Sequence, residues 1–309
     1  MTLLLNELAR ILVFVWEALV HVWPLLLITI PVAVLIKEVD ASSKISSIFR
    51  KNIWLSIVIA TLVGAIAPFC SCGVIPVISA MLISGVPLAP VMSFWLASPS
   101  MDPEIFFLSV ASLGWPLATA RMLTTFCMSI TGGIITHLLF RSVDTSKFLL
   151  LQKQEEASCG ECCGCASPQS RIRSLFKNIF DSAWFVVKFL LIAYILEALI
   201  IFYVPSDVVV TLLGKNPFFS VLLATLIGVP FYTTNLSALG LMGGLLAKGL
   251  SEGAALAFLV GGATTTIPAM AAVYKLVDRR IFFVYISVTL LFAIASGFLY
   301  TIAEELSWL

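Results

Sequence analysis

The sequence predicts an all-α polytopic membrane protein, made of two inverted repeats with broken or re-entrant helices and about 8–10 membrane segments. The 309-residue chain is 60% hydrophobic and 11% charged, whereas soluble domains are about 45–50% apolar and about 25% charged. Residues 53–101 are 49 consecutive residues without a charge, although about 20 apolar residues already span a bilayer as a helix. Its two halves also resemble each other, which predicts an internal duplication.

The same composition excludes several classes of protein. With few charges and a net charge of +1, the chain is not a soluble globular domain, a disordered chain or a nucleic-acid-binding protein. A Gly-x-x-x-x-Gly-Lys-Ser/Thr motif is absent from the sequence, so ATP hydrolysis by this chain is not expected. We expect the lipid bilayer as a partner, no nucleic acid, no cofactor and no enzymatic activity, and we leave homo-oligomers open.

The apolar spans divide the chain into two halves. Residues 11–36 form the first span, which is too long for the core of a signal peptide and is interpreted as a retained helix. The other spans are residues 53–101, 105–120, 122–140, 179–204, 218–247, 253–274 and 281–302. A polar insert separates the halves. We therefore expect a first transmembrane repeat over 1–140, a cysteine-rich linker over 141–178 and a second repeat over 179–309.

The two halves match at a fixed offset. Residues 60–64 (ATLVG) correspond to residues 224–228 (ATLIG) at an offset of 164 residues, and the same offset pairs Gly85 with Gly249. Internal duplication of this kind is typical of secondary transporters and of some channels.

The distribution of Lys and Arg predicts that the two repeats have opposite orientations. The loop after the first span carries four of these residues, whereas its counterpart at 203–217 carries only Lys215. Residues 275–280 carry three, and their counterpart at 112–116 carries none. Cytoplasmic loops are enriched in Lys and Arg, so equivalent loops are expected on opposite sides of the membrane. We therefore expect a bacterial-type inner (plasma) membrane protein with a cytoplasmic central linker and external termini.

Pro and Gly interrupt the apolar spans of both halves. The breaks cluster at residues 68–76 and 97–104 in the first half, and at 228–235 and 261–268 in the second. Broken helices persist in a membrane only where protein or water satisfies the freed backbone groups. Matching breaks in two repeats are typical of a transport site, and kinked structural helices are the alternative.

The segment Cys70-Ser71-Cys72 places two thiols at the first break. Thiolates select soft species such as Cu(I) and Zn(II), and two thiols match the two positions that a methylated As(III) offers to sulfur. Cys127, on a later helix, is a candidate third ligand. The alternative is that these cysteines are small buried apolar residues. A disulfide across Cys-x-Cys would be strained.

Hydroxyl and amide side chains at the other breaks are candidate substrate contacts. The second half has no thiol at its matching break, so the site is expected to be asymmetric. The candidates are Ser98 and Ser100 in the first half, and Tyr232, Thr233, Asn235, Thr264 and Thr265 in the second. The pairs at 98/100 and 264/265 could equally cap helices.

Ionisable residues inside apolar spans are costly and are therefore candidates for energy coupling. A proton-coupled antiporter needs one carboxylate or histidine that alternates between protonation states. The candidates are Glu17, His21, Asp102, Glu104 and Glu197. For each of them, an interfacial side chain or a structural ion pair is the alternative.

The central linker contains four cysteines within seven residues, Cys159, Cys162, Cys163 and Cys165. Their spacings are typical of metal ligands, and a reducing cytoplasm keeps such thiols free to bind. No histidine lies near them, and a structural zinc site usually takes its second pair of ligands from farther along the chain. We expect a loop that captures soft ions, with palmitoylation or an incidental cluster as the alternative.

With these motifs the chain resembles the ArsP/YraQ-type permease family. The resemblance rests on residues 68–73 (PFCSCG), 82–87 (LISGVP), 98–99 (SP), 228–230 (GVP), 246–249 (LAKG) and 253–259 (GAALAFL). It implies an inner-membrane permease in which Cys70 and Cys72 engage a trivalent organoarsenical, and a related branch of the family exports copper or zinc. Gly73, where arsenical members often have Ser, and the cysteine-rich linker depart from the family pattern.

The predicted function is export of a soft, thiol-reactive species, a trivalent (organo)arsenical, by alternating access with thiol ligation at Cys70 and Cys72. A thiol conjugate of that species is also compatible with the motifs. The first alternative is export of copper, zinc or another soft metal ion. Alternatives of another class are a membrane thiol-redox enzyme and a metal sensor.

Overall fold

Nine α-helices make up the part of the chain that the computed structural model describes, namely residues 52–67, 74–83, 85–141, 217–232, 235–247, 249–266 and 277–307 with a few single positions elsewhere. They are α1 (Ile53–Ile66), α2 (Val74–Ile83), α3 (Leu88–Ala97), α4 (Pro103–Leu113), α5 (Trp115–Phe140), α6 (Pro217–Phe231), α7 (Asn235–Ala247), α8 (Glu252–Thr264) and α9 (Arg279–Ser307). No β-strand occurs within these ranges, so the all-α prediction is confirmed for them.

Two of these helices end in the same kind of glycine turn. After α2, Gly85 has φ +76°, its N–H donates to the Leu82 carbonyl at 3.1 Å, and the next N–H donates to the Met81 carbonyl at 3.1 Å. After α7, Gly249 has φ +94° and the corresponding hydrogen bonds are 3.0 and 3.1 Å long. These are Schellman motifs, which need a residue in the left-handed conformation that glycine adopts without steric cost. The glycines paired by the sequence repeat are therefore paired helix ends.

The starts of the helices follow the same repeat. Three pairs of helices begin 164 residues apart: α1 and α6 at 53 and 217, α3 and α8 at 88 and 252, and α5 and α9 at 115 and 279. The offset found in the sequence therefore relates whole elements as well as short motifs.

Close packing inside each half uses glycine at equivalent positions. Helices α1, α3 and α5 pack against one another, as do α6, α8 and α9. A Cβ atom added at Gly133 in α5 would lie 3.2 Å from the Ala89 carbonyl oxygen of α3. One added at Gly297 in α9 would lie 2.8 Å from the Gly253 carbonyl oxygen of α8. Both glycines thus let the longest described helix of each half approach the backbone of the buried helix beside it.

The two halves meet along α5. This helix contacts α8 and α9 in addition to the helices of its own half. Trp95 of α3 stacks on Tyr285 of α9, with ring centroids 4.5 Å apart and an interplanar angle of 18°. Aromatic stacking and helix contacts therefore both cross the boundary between the halves.

The outer surface of the bundle is apolar. Helices α1, α5 and α9 expose large apolar side chains, among them Trp54, Leu123 and Leu291. Within the described residues, Trp115–Phe140 and Arg279–Leu306 are long and apolar enough to cross a membrane. Exposed apolar surface on this scale is unfavourable in water and is satisfied by lipid or by another protein surface.

Helices α3 and α8 are buried but short. All ten residues of α3 are buried, as are the last twelve of the thirteen residues of α8. At about 1.5 Å per residue these helices are only about 15 and 20 Å long, whereas the hydrocarbon core of a bilayer is about 30 Å thick. They are too short to cross it, as the prediction of broken helices requires.

One boundary predicted from the sequence is wrong. The sequence placed a division between two apolar spans at Arg121, but the chain turns at Gly114, which has φ +89°, and Arg121 lies inside the 26-residue helix α5. The physical reason is that Arg121 is buried and hydrogen-bonded within the protein. A charged side chain that donates hydrogen bonds to groups inside the protein does not need to end a membrane helix.

Replacing Ser129 with alanine is expected to lower the free energy of unfolding by about 1 kcal/mol. The Ser129 hydroxyl on α5 donates to the Ser93 carbonyl of α3 and lies 3.2 Å from the Thr61 hydroxyl of α1. The equivalent position in α9 is Ala293, so alanine fits this packing. The measurement is unfolding of the purified protein in detergent, with Ser112→Ala, an exposed serine bonded only within its own helix, as the control. Equal losses in the two variants would contradict the expectation.

Candidate functional site

The helix breaks place buried polar residues inside the bundle. Helix α3 ends at Ala97 and α4 begins at Pro103, while α8 ends at Thr264. The buried polar residues at these ends are Ser98, Ser100, Asp102, Thr264, Thr265 and Thr266. Helix ends also present backbone groups that lack partners inside the helix. The two breaks therefore combine side-chain and backbone polar groups in an otherwise apolar core.

Arg121 is the buried cation beside these breaks. Its side chain is 2% exposed and lies on the inner face of α5. Nη1 donates to the Ser109 hydroxyl oxygen of α4 at 3.1 Å, and Nη2 donates to the hydroxyl oxygen of Tyr232 at 3.1 Å. Ser109 donates its own hydrogen to the Ile105 carbonyl at 2.7 Å. The guanidinium therefore connects α4 and α5 of the first half with the end of α6 in the second half.

A small cavity lies against Arg121. Its volume is ≈ 10 Å³, which is room for about one water molecule. Ser100, Met101 and Met122 also form its walls. Ser100 is 4% exposed and its hydroxyl has no hydrogen-bond partner. An unsatisfied buried hydroxyl costs about 1–3 kcal/mol, so this one is a candidate for contact with a bound molecule.

Tyr232 is held by the second half of the chain as well as by Arg121. Its ring packs on Gly262, where an added Cβ atom would lie 2.4 Å from the ring Cδ2 atom. The ring centroid of Phe258 lies 6.0 Å away. Glycine at position 262 is therefore a condition for the placement of the Tyr232 ring.

The threonines at the end of α8 use their hydroxyls within that helix. Thr265 Oγ1 donates to the Gly261 carbonyl at 2.6 Å, and Thr264 Oγ1 lies 3.5 Å from the same oxygen. The Thr264 carbonyl in turn accepts a hydrogen bond from the Tyr285 hydroxyl. In this conformation the two threonines satisfy a helix end, and a contact with substrate would have to replace these bonds.

Two carboxylates begin α4. Asp102 occupies the N-cap position and is 8% exposed, whereas Glu104 lies in the first turn and is exposed. Negative charge at the N-terminus of a helix is stabilised by the helix dipole. Of the two coupling candidates Asp102 and Glu104, Asp102 is the one inside the protein beside the breaks. Ser98, at the C-cap of α3, is fully buried.

Of the predicted thiol ligands, Cys127 is the one that lies among the described residues. Cys127 lies on an exposed face of α5, away from the inner face that carries Arg121. Among the described residues, no group of three or more His, Cys, Asp or Glu side chains could hold a metal ion. The other predicted residues that lie outside the described ones are Cys70, Ser71, Cys72, Thr233, Glu17, His21, Glu197, Cys159, Cys162, Cys163 and Cys165. Asn235 begins α7, but its side chain is not among those that the structure describes.

Arg121 is not among the site residues predicted from the sequence. The available signal was a lone charge within an apolar stretch, and such a charge is a functional candidate by default. Its partner Tyr232 is 111 residues away in the chain, so the sequence offered no local pattern that joins them.

Replacing Ser100 with alanine is expected to leave the free energy of unfolding unchanged or to raise it by about 1 kcal/mol, because the hydroxyl makes no hydrogen bond. If the hydroxyl contacts substrate, the same variant raises the KM for transport. Thermal unfolding without substrate and transport kinetics in vesicles measure the two effects separately. A clear loss of stability would show that the hydroxyl has a structural role.

Comparison with known proteins identifies the family. Residues 7–302 match the model of the ArsP_1 family, described as "Predicted permease". The chain is similar to UPF0718 protein YcgR of Bacillus subtilis, with 24% identity over 91% of this chain and 93% of that protein. It is also similar to UPF0718 protein MJ0584 of Methanocaldococcus jannaschii, with 19% identity over 80% of this chain and 82% of that protein. No solved structure matches the chain. The resemblance drawn from the motifs is confirmed: the chain belongs to the ArsP_1 family of predicted permeases and is an integral membrane protein.

Proposed function

We propose that this permease exports a soft, thiol-reactive species, a trivalent organoarsenical, by alternating access with thiol ligation at Cys70 and Cys72. The observation that carries the proposal is the hydrogen bond from Arg121 to Tyr232. It joins polar groups of both halves inside an apolar bundle, beside helices that are too short to cross a bilayer. Transport sites of secondary carriers typically combine these features at the interface of two repeats.

The packing of α1 supports a place for the thiols near this site. A Cβ atom added at Gly64 would lie 2.8 Å from the Phe94 carbonyl oxygen and 3.0 Å from the Ala97 Cβ atom, so the last turn of α1 lies on the last turn of α3. Cys70 follows Ala67 by three residues, and its Cα atom therefore lies within about 11 Å of that of Ala67. The end of α1, from which the chain continues into the thiol segment, therefore lies against the end of α3.

The chemistry of the thiol pair matches a methylated As(III). In methylarsenite the arsenic carries one methyl and two hydroxyl groups. Each thiol forms one As–S bond as one As–O bond breaks, and the thiol hydrogen leaves with the hydroxyl group as water. The product holds two sulfur ligands and no net charge, and thiol exchange reverses the ligation. The polar side chains near Tyr232 and Thr265 would line the opposite side of the same pathway.

The repeat supports the mode of transport. Equivalent helix starts, glycine turns and glycine contacts recur at the offset of 164 residues, and the Lys and Arg pattern favours opposite orientations of the halves. We therefore assign residues 1–140 and 179–309 to two inverted repeats in a plasma membrane, with the linker 141–178 in the cytoplasm. Asp102 is the described carboxylate best placed for proton coupling, because it is buried at a break.

A second candidate function is export of copper, zinc or another soft metal ion. The four cysteines at 159–165 favour it, since such a cluster can gather soft ions before transport. In that case the substrate would enter as an ion or as a thiol complex.

The proposal is tested by a toxicity profile in an efflux-deficient host. Growth is measured in methylarsenite, arsenite, antimonite, copper, zinc and mercury, with and without the protein, and uptake of methylarsenite into everted membrane vesicles is measured in parallel. We expect protection from methylarsenite and ATP-independent uptake. Protection from copper or zinc alone would favour the second candidate. No protection by protein present in the membrane would contradict both.

A further inference from the structure

The planar guanidinium of Arg121 donates hydrogen bonds from both of its terminal nitrogens. Its two terminal nitrogens donate to Ser109 on one side and Tyr232 on the other, each at 3.1 Å. Ser109 belongs to the first half, and its hydrogen is directed to the Ile105 carbonyl, so its lone pairs face the guanidinium. Ser109 therefore holds one terminal nitrogen of Arg121 within the first half, and the other terminal nitrogen contacts Tyr232 of the second half.

Tyr232, which Arg121 contacts in the second half, lies at a helix break. Tyr232 follows the last residue of α6, and its N–H donates to the Gly228 carbonyl at 2.9 Å. Gly262 of α8 supports one face of its ring. Arg121 fixes the hydroxyl end. Backbone, ring and hydroxyl are thus each held by a different element.

We propose that Arg121 is a positioning residue that holds the Tyr232 hydroxyl at the second-half break and thereby ties α5 of the first half to that break in this conformation. Tyr232 would contact the exported species, and Arg121 would act through it. A guanidinium that donates to the phenol oxygen also polarises the phenol, which makes its hydrogen a better donor toward a third group. The inference rests on the proposed export function only for its transport readout.

Arginine is suited to this role for a geometric reason. Its planar fork presents N–H groups on two terminal nitrogens, which reach two separate acceptors at once, whereas a lysine ammonium is a single point on a flexible chain. Arg121→Lys should therefore keep the charge and lose the simultaneous contacts, and it should behave like Arg121→Gln rather than like the unsubstituted protein.

The first test is a double-mutant cycle in vesicle transport. Arg121→Gln and Tyr232→Phe are each expected to lower the initial rate about tenfold. If Arg121 acts through Tyr232, the double variant is also about tenfold slower, whereas independent roles would give about a hundredfold loss. A multiplicative loss overturns the proposal. Tyr300→Phe is the matched control, because it removes a tyrosine hydroxyl bonded to Glu252, outside the site, and should leave the rate unchanged.

The second test needs no substrate and therefore separates this inference from the proposed function. Hydrogen exchange of the Tyr232 amide is measured in the full-length protein in detergent. Arg121→Gln and Tyr232→Phe are expected to raise its exchange rate about tenfold. Ser109→Ala loosens the other anchor of the guanidinium and should give a smaller increase, which keeps the test decisive if Arg121→Gln fails to fold. Unchanged exchange in Ser109→Ala and Tyr232→Phe overturns the proposal, whatever the protein transports.

Discussion

Replacing Gly297 with valine is expected to lower the free energy of unfolding by about 3 kcal/mol or more, because the side chain would overpack a closed contact. A Cβ atom at this position would lie 2.7 Å from Val221 Cγ1, 2.8 Å from the Gly253 carbonyl oxygen and 2.9 Å from Ala257 Cβ. Three elements meet there, since these residues belong to α6 and α8. Two of the contacts involve backbone or Cβ atoms, which cannot move away by changing rotamer.

The repeat supplies an independent check on this expectation. Gly133 is the equivalent residue of the first half, and an added Cβ atom there would lie 2.0 Å from Ser93 Oγ and 3.2 Å from Ile57 Cγ2. Gly133→Val should therefore destabilise the protein to a similar extent. Gly244→Ala is the control, because nothing lies within 4 Å of an added Cβ atom at that helical position; it should raise stability by about 0.5–1 kcal/mol.

The measurement is thermal or chemical unfolding of the purified proteins in the same detergent, together with the amount of each variant in the membrane. Equal stability of Gly297→Val and Gly244→Ala would contradict the close contact between α9 and α8 at Gly297. If Gly133→Val alone were destabilised, the equivalence of the two halves in their packing would be wrong.

Much of the fold could be predicted because its signals are local or periodic. The apolar runs are stretches of consecutive residues, and the offset of 164 residues follows from matching short stretches such as 60–64 and 224–228. The sequence repeat pairs the glycines at 85 and 249, and both of them end helices. Pro and Gly clusters likewise marked the places where α3 and α8 end, since neither residue continues a helix well.

The parts that could not be predicted depend on contacts between distant residues. Whether Arg121 ends a helix or lies inside one depends on Tyr232, which belongs to the other half of the chain. Whether Thr264 and Thr265 face a substrate or their own helix depends on their side-chain geometry, and here they bond Gly261. The sequence could name the residue types needed for a site, but it could not assign their hydrogen bonds.

Changing both Cys70 and Cys72 to serine is expected to reduce export of methylarsenite to the background of cells without the protein. Serine is nearly the same size as cysteine, so the change tests the sulfur atoms rather than the packing. An alcohol oxygen is a hard ligand that arsenic already carries as hydroxyl, so exchange for it gains nothing, whereas each thiolate is the soft ligand that As(III) prefers. Growth in methylarsenite and vesicle uptake of the same compound measure the loss.

The single variants and a third position separate the possible ligand sets. If two thiols bind the substrate together, Cys70→Ser and Cys72→Ser should each lose nearly as much as the double variant, because one remaining As–S bond holds the arsenic weakly. Inorganic arsenite offers three positions to sulfur, so Cys127→Ser would impair arsenite export selectively if Cys127 were the third ligand, and its exposed position on α5 predicts no such effect on methylarsenite. A double serine variant that reaches the membrane in normal amount, unfolds like the unsubstituted protein and still exports methylarsenite would show that the thiols are not the site. Export of methylarsenite would then have to depend on other groups, such as the polar side chains around Arg121 and Tyr232.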